Sequence, residues 1–202
     1  SIDVSDIRAS GNITFTKNSS VYNNSNRILL TGGLTSSGDA NIAIGSHNTL
    51  SSLVGESNNI ENIATGTDVL QQAVNAQYNI CIGKGAMYNM GKNSSETYDD
   101  VRYNIAIGGG ALKGAGTHPQ AEGNIAIGYG SMINATSADD STLTAEFNVC
   151  VGYTAGTHLK GENNVYIGKA TGFGGAGSNL GDNNVGVGSS ALGTIQGGDD
   201  NV

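Results

Sequence analysis

The sequence predicts an all-β chain built of repeats, with β-roll or β-helix-like rungs laid parallel on one another. Three observations lead there. A five-residue motif returns along most of the chain, its starts are evenly spaced, and the composition suits tight turns better than a conventional core. The motif is N-Φ-x-Φ-G, with Φ either Ile or Val. It reads Asn41-Ile42-Ala43-Ile44-Gly45, Asn79-Ile80-Cys81-Ile82-Gly83, Asn104-Ile105-Ala106-Ile107-Gly108, Asn124-Ile125-Ala126-Ile127-Gly128, Asn148-Val149-Cys150-Val151-Gly152, Asn164-Val165-Tyr166-Ile167-Gly168 and Asn184-Val185-Gly186-Val187-Gly188. A degraded copy, Asn62-Ile63-Ala64-Thr65-Gly66, fills the one long gap, and Asn201-Val202 opens another. Starts fall 16 to 25 residues apart, a spacing typical of solenoids. Gly contributes 32 of 202 residues, about twice the usual share, against one Pro, no Trp and 13% charged residues. That balance excludes collagen and a highly charged disordered chain.

Each part of the motif has a physical reading. Alternation of Φ-x-Φ puts both branched residues on one face of a strand and the middle residue on the other. The Φ pair is therefore expected to supply a buried aliphatic stack. The middle residue is mostly small (Ala43, Cys81, Ala106, Ala126, Cys150, Gly186), which predicts that its face lies against another backbone. The closing Gly makes a corner. The leading Asn suits a turn, and stacked copies are expected to form a ladder. A second half-motif comes shortly after the Gly, as Ala86-Met87, Ala111-Leu112, Ser131-Met132 and Ala191-Leu192, giving each repeat a second short β segment.

Two regions are expected: a lead-in β segment over 1–40, with Asn12–Phe15 and Arg27–Leu30 as strands, and the repeat domain over 41–202. The chain begins at Ser1 rather than Met and reads as a piece of a longer protein. One thin roll buries too little apolar surface per rung to offset the ordering of its backbone, so parallel copies of the chain are expected to associate. The inserts between rungs are longest near 91–103, 114–123 and 134–147, and variable loops on a regular scaffold are where recognition normally sits.

A net charge of −8 with scattered Lys and Arg argues against nucleic acid as a partner, and no apolar run reaches membrane-spanning length, so no lipid insertion is expected. Cys81 and Cys150 occupy equivalent positions three rungs apart, about 14 Å at strand spacing, and are expected to be free thiols.

Several patterns bear on chemistry. Gly172–Gly177 matches G-x-G-x-x-G, but Ser178–Asn183 reads as a turn rather than the helix a dinucleotide needs, so no cofactor is expected. Asp99-Asp100, Asp139-Asp140 and Asp199-Asp200 are adjacent pairs, which on a strand point to opposite faces; a glycosidase pair would have to come from different rungs or chains. His47, His118 and His158 stand apart with no metal-ligand spacing, and no metal site is expected. Tyr88, Tyr98, Tyr103, Tyr129, Tyr153 and Tyr166 combine an aromatic face with a hydroxyl, suited to stacking on sugar rings. The ligand-binding candidates are Tyr88, Tyr98, Tyr103, His118, Tyr129, Tyr153 and His158, with no catalytic residue and no enzymatic activity expected.

Repeats of the form N-x-A-I-G followed by A-L, such as Asn104–Gly108 with Ala111-Leu112, resemble those of bacteriophage tail fibres and phage-borne adhesins. There such repeats often precede a self-cleaving intramolecular chaperone of the endosialidase type. The A-I-G core is also similar to the head repeats of trimeric autotransporter adhesins, which form left-handed parallel β-rolls. Those heads keep repeats of roughly 14 to 16 residues with Ser or Ala before A-I-G, whereas this chain has Asn there and ragged inserts. Free thiols also suit assembly in a reducing cytoplasm. The resemblance, covering residues 41–202, implies a homotrimeric segment of a virion tail fibre that binds a bacterial surface polysaccharide or outer-membrane protein. The alternatives are an adhesin head on a bacterial cell surface and a polysaccharide depolymerase.

Overall fold

The structure is a computed structural model that describes residues 42–45, 61–71, 76–90, 101–114, 121–134, 145–174, 181–193 and 197–202. The expected lead-in segment lies outside the described residues. The chain is a parallel β-solenoid with no helix among the described residues. The twelve short strands among the described residues are β1 (Ile42–Ile44), β2 (Ile63–Thr65), β3 (Ala76–Gln77), β4 (Ile80–Ile82), β5 (Val101–Arg102), β6 (Ile105–Ile107), β7 (Ala121–Glu122), β8 (Ile125–Ile127), β9 (Ala145–Glu146), β10 (Val149–Val151), β11 (Val165–Ile167) and β12 (Val185–Val187). The three-residue strands are the Φ-x-Φ cores. They pair in sequence order as one eight-stranded sheet, β1-β2-β4-β6-β8-β10-β11-β12, while β3-β5-β7-β9, just before the motif Asn, form a second sheet. The half-motif expected to supply the second β segment, Ala86-Met87, Ala111-Leu112, Ser131-Met132 and Ala191-Leu192, is instead a turn, because its Leu or Met holds a left-handed φ. Register is strict: Ile105 lies beside Ile125, Ala106 beside Ala126 and Ile107 beside Ile127.

Strict register turns every motif position into a column. The expected ladder of Asn is present. Asn79 Nδ2 donates to Asn62 Oδ1 at 3.0 Å, and its backbone N–H donates to the same oxygen at 3.1 Å. The pattern repeats through Asn104, Asn124, Asn148, Asn164 and Asn184 to Asn201. From Asn62 to Asn148, a second Nδ2 hydrogen goes to a carbonyl three residues before the next Asn, as from Asn124 to Ala145 O at 2.7 Å. Full pairing lets the amides from Asn62 to Asn184 be wholly buried without an orphaned polar atom.

The inside and outside of the motif are the reverse of the expectation. The small middle residues Ala64, Cys81, Ala106, Ala126 and Cys150 form the core, together with Leu70, Met87, Leu112 and Met132 from the half-motif. The Φ residues point outward: Ile42, Ile82 and Ile167 are 50%, 40% and 42% exposed, and Val187 is 68% exposed. The physical reason is the width of the roll. Each rung folds back on itself within a few residues, so the inward position of the Φ-x-Φ strand meets the far wall at close range and takes a small residue, beside the Leu or Met of the turn and an Ala or Val from just before the motif Asn. The middle residue does face another backbone at close range, but it is the far wall of its own rung.

Tyr166 shows how tightly this interior is filled. It takes the middle position of β11 and is 1% exposed, which corrects its assignment as a sugar-stacking residue. Room for the ring comes from Gly172, where most other rungs carry Leu or Met and where a Cβ would come within 2.5 Å of the ring, and from Gly186 on the next strand. Burial pushes the Tyr166 hydroxyl up to about 12. Cys81 and Cys150 are buried free thiols, as expected, and desolvation moves both well above their ordinary value.

Candidate ligand-binding groove

The motif Gly carries the chain round a corner, from the eight-stranded sheet onto a second side of each rung. Here the third and fourth residues after Gly are buried in most rungs, and the first, second and fifth supply the surface. Four consecutive rungs leave a depression of about 500 Å³ on this side. By position after the motif Gly, Lys84, Gly109 and Tyr129 line one side, Gln71, Tyr88, Lys113 and Ile133 the other, and Asp68, Gly85 and Gly110 the strip between. Lys113 Nζ lies 5.2 Å from the centre of the Tyr88 ring, a cation–π distance. The Tyr129 ring covers Gly109, where a Cβ would approach it to 3.2 Å. Rings, hydroxyls and ammonium groups on stacked turns are equipped to hold an amphipathic, polar ligand.

Two of the expected ligand residues, Tyr88 and Tyr129, thus come together in one groove. Tyr153 extends it: its ring stacks on Tyr129 at 5.6 Å and 14° because both directly follow a motif Gly. Tyr103 sits elsewhere, stacked on Tyr78 at 5.2 Å and 8°, in a column that also holds Phe147. Every residue of that column precedes a motif Asn and adopts a left-handed φ, from 55° at Phe147 to 67° at Gly123. His158 is engaged within the wall: Nδ1 faces Gly174 O at 3.2 Å, Nε2 faces Asn134 Nδ2 at 3.4 Å, and the ring meets Phe173 edge-on. That arrangement fits the tautomer with hydrogen on Nδ1. Tyr98 and His118 lie outside the described residues.

Lys84, Lys113, Gln71 and Asp68 were missed by sequence reasoning, as were Tyr78 and Phe147. The signal was available in alignment of the repeats on their glycines, which puts Tyr88 and Lys113 at one position and Lys84 and Tyr129 at another.

Of the paired carboxylates, only Asp199-Asp200 falls among the described residues. Asp199 Oδ1 accepts from Asp182 N–H at 2.9 Å, and Asp182 Oδ1 accepts from Glu162 N–H at 2.8 Å, so these carboxylates tie exposed backbone between rungs. Arg102 and Glu122 form an ion pair of 2.9 Å on neighbouring strands. Among the described residues no group of three or more His, Cys, Asp or Glu is arranged to hold a metal ion. No helix among them is long and apolar enough to cross a membrane. Compared with known proteins, the chain has no significant match to a family model, a curated sequence or a solved structure.

Proposed function

We propose that the chain is a structural and receptor-binding segment of a phage tail fibre, a parallel homotrimer carried on the virion that attaches to a bacterial surface polysaccharide or outer-membrane protein. The observation that carries this reading is the outer face of the eight-stranded sheet. Ile or Val occupies fifteen of its sixteen outward positions, Thr65 being the exception. At strand spacing the face runs about 34 Å. Six of the sixteen are exposed, among them Ile82 at 40% and Val187 at 68%, and the rest are half-buried, so the strip leaves a contiguous row of apolar side chains to water. A straight, narrow apolar strip of this kind fits two further copies of itself around a common axis. Buried free thiols are compatible with assembly in a reducing cytoplasm.

The test is the mass in solution by light scattering. Three times 20.4 kDa is expected for the native chain, and single-chain mass for Ile107→Lys combined with Ile127→Lys. A native chain that runs as a monomer would overturn the reading. Binding of labelled protein to intact bacteria tests the receptor role separately.

A further inference from the structure

The groove around Tyr88 and Tyr129 is bare along its middle because one column loses its side chains at Gly85 and Gly110, the two of its three successive glycines that line the groove. The second residue after the motif Gly is Asp68, Gly85, Gly110, Gly130, Thr154, Ala170 and Ser190 in successive rungs. All seven adopt left-handed φ, between 53° and 65°. The backbone therefore accepts a side chain here in four rungs, and the packing would accept one too: a Cβ on Gly85 would meet nothing within 4 Å, and one on Gly110 would reach only Ile133 Cδ1 at 3.8 Å. Space does not ask for Gly here; the left-handed φ favours it, at a cost that Asp68, Thr154, Ala170 and Ser190 carry in the other four rungs. What the run of glycines does is keep a floor bare between two walls.

In a chain with 17 acidic and nine basic residues, Lys84 and Lys113 face the same trough. Among the described residues neither forms an ion pair. Tyr88 and Tyr129 lie beside them, while Gln71 and Asp68 supply acceptors at one end. The trough crosses four rungs, about 14 Å at strand spacing, which is room for a short oligosaccharide rather than one sugar. It is also round the Gly corner from the Ile/Val face, and so stays open if that face is covered.

We infer that this groove binds an acidic oligosaccharide, its carboxylate or sulfate groups held by Lys84 and Lys113, a sugar face on the ring of Tyr129 and hydroxyls on Gln71 and Asp68. The inference deepens the proposed receptor role, on which it rests, by naming the ligand class. Lys supplies a point charge that either anion satisfies, and the rings supply the apolar complement of a sugar face.

The experiment is binding to an array of neutral, carboxylated and sulfated oligosaccharides, then titration with an oligogalacturonate and a sulfated oligosaccharide at low and physiological salt. Selective, salt-weakened binding of one or both acidic classes is expected. Lys84→Ala with Lys113→Ala should lower affinity at least tenfold, and Gly85→Asn, which fills the floor with a residue tolerant of left-handed φ, should do the same. Lys169→Ala, outside the groove, should leave affinity unchanged. Selection of neutral sugars, absence of glycan binding, or full affinity in both groove variants would overturn the inference. Light scattering on the same samples separates the two proposals: a monomer that still binds acidic glycan through the groove sinks the fibre reading and leaves this one standing.

Discussion

Asn124 makes every hydrogen bond its amide can make. It donates to Asn104 Oδ1 and Ala145 O, and its own Oδ1 accepts two bonds from Asn148. Replacing it with Ala would strand the Ala145 carbonyl and the Asn148 donors in a dry interior, where each unsatisfied group costs roughly 1 to 3 kcal/mol. Asn124→Ala should therefore lose about 4 kcal/mol, read as a lower midpoint in urea. The thiols give a pH prediction. Unfolded Cys81 and Cys150 ionise near pH 9.0, whereas burial keeps the native thiols protonated far above that. A raised folded pKa means the stability is intact below pH 9.0 and declines as pH rises toward the folded value. Each thiol costs about 1.4 kcal/mol per pH unit in that window, so the pair removes about 4 kcal/mol by pH 10.5. Cys81→Ala with Cys150→Ala, matching the Ala of sister rungs, should flatten the decline in urea titrations at about pH 8 and 10.5.

At the scale of one rung, the corner and the turn after it make different demands on Gly. Gly83 has φ +125° and a Cβ there would stand 2.6 Å from Gly108 O, so rung-to-rung approach itself excludes a side chain. Gly83→Ala should cost about 3 kcal/mol or more, since both the strained φ and the backbone clash must be relieved. Gly85, two residues on, has open space and φ +65°, so Gly85→Asn should cost about 1 kcal/mol or less by the same measurement. The turn also holds large residues in left-handed conformation: Met87, Leu112 and Met132 have φ of 50° to 53°. Each such residue costs on the order of 1 to 2 kcal/mol, which burial of its side chain offsets.

For the whole molecule, parallel register makes stability a sum over neighbouring rungs, and it makes any outward preference into a long stripe. The Ile/Val stripe is the largest consequence. If it is covered by further copies, melting should depend on protein concentration, because association stabilises only the folded chain. The native chain is expected to melt higher as concentration rises tenfold, while the Ile107→Lys, Ile127→Lys chain should melt at a constant temperature. The residues flanking the inserts, such as Gly114 and Ala121 or Asn134 and Ala145, hold equivalent positions in successive rungs.

The sequence by itself determined the repeat, its Φ-x-Φ strands, the parallel stacking, the Asn ladder and the separation of the two Cys, because each is a statement about periodicity and equivalence. It misplaced the second β segment, which lies just before the motif Asn rather than after the Gly. It also showed that Φ and middle residues lie on opposite faces. Which face is inside was decided only by the tertiary structure. Alternation is symmetric between the two sides of a strand, and the side that becomes interior depends on how sharply the rung closes. Closure leaves room for Ala106 with Leu112, or Tyr166 with Gly172, and turns Ile105 and Ile107 outward. The groove has the same origin: Lys84, Tyr88, Lys113 and Tyr129 are scattered along the chain and become neighbours because successive rungs stack in register.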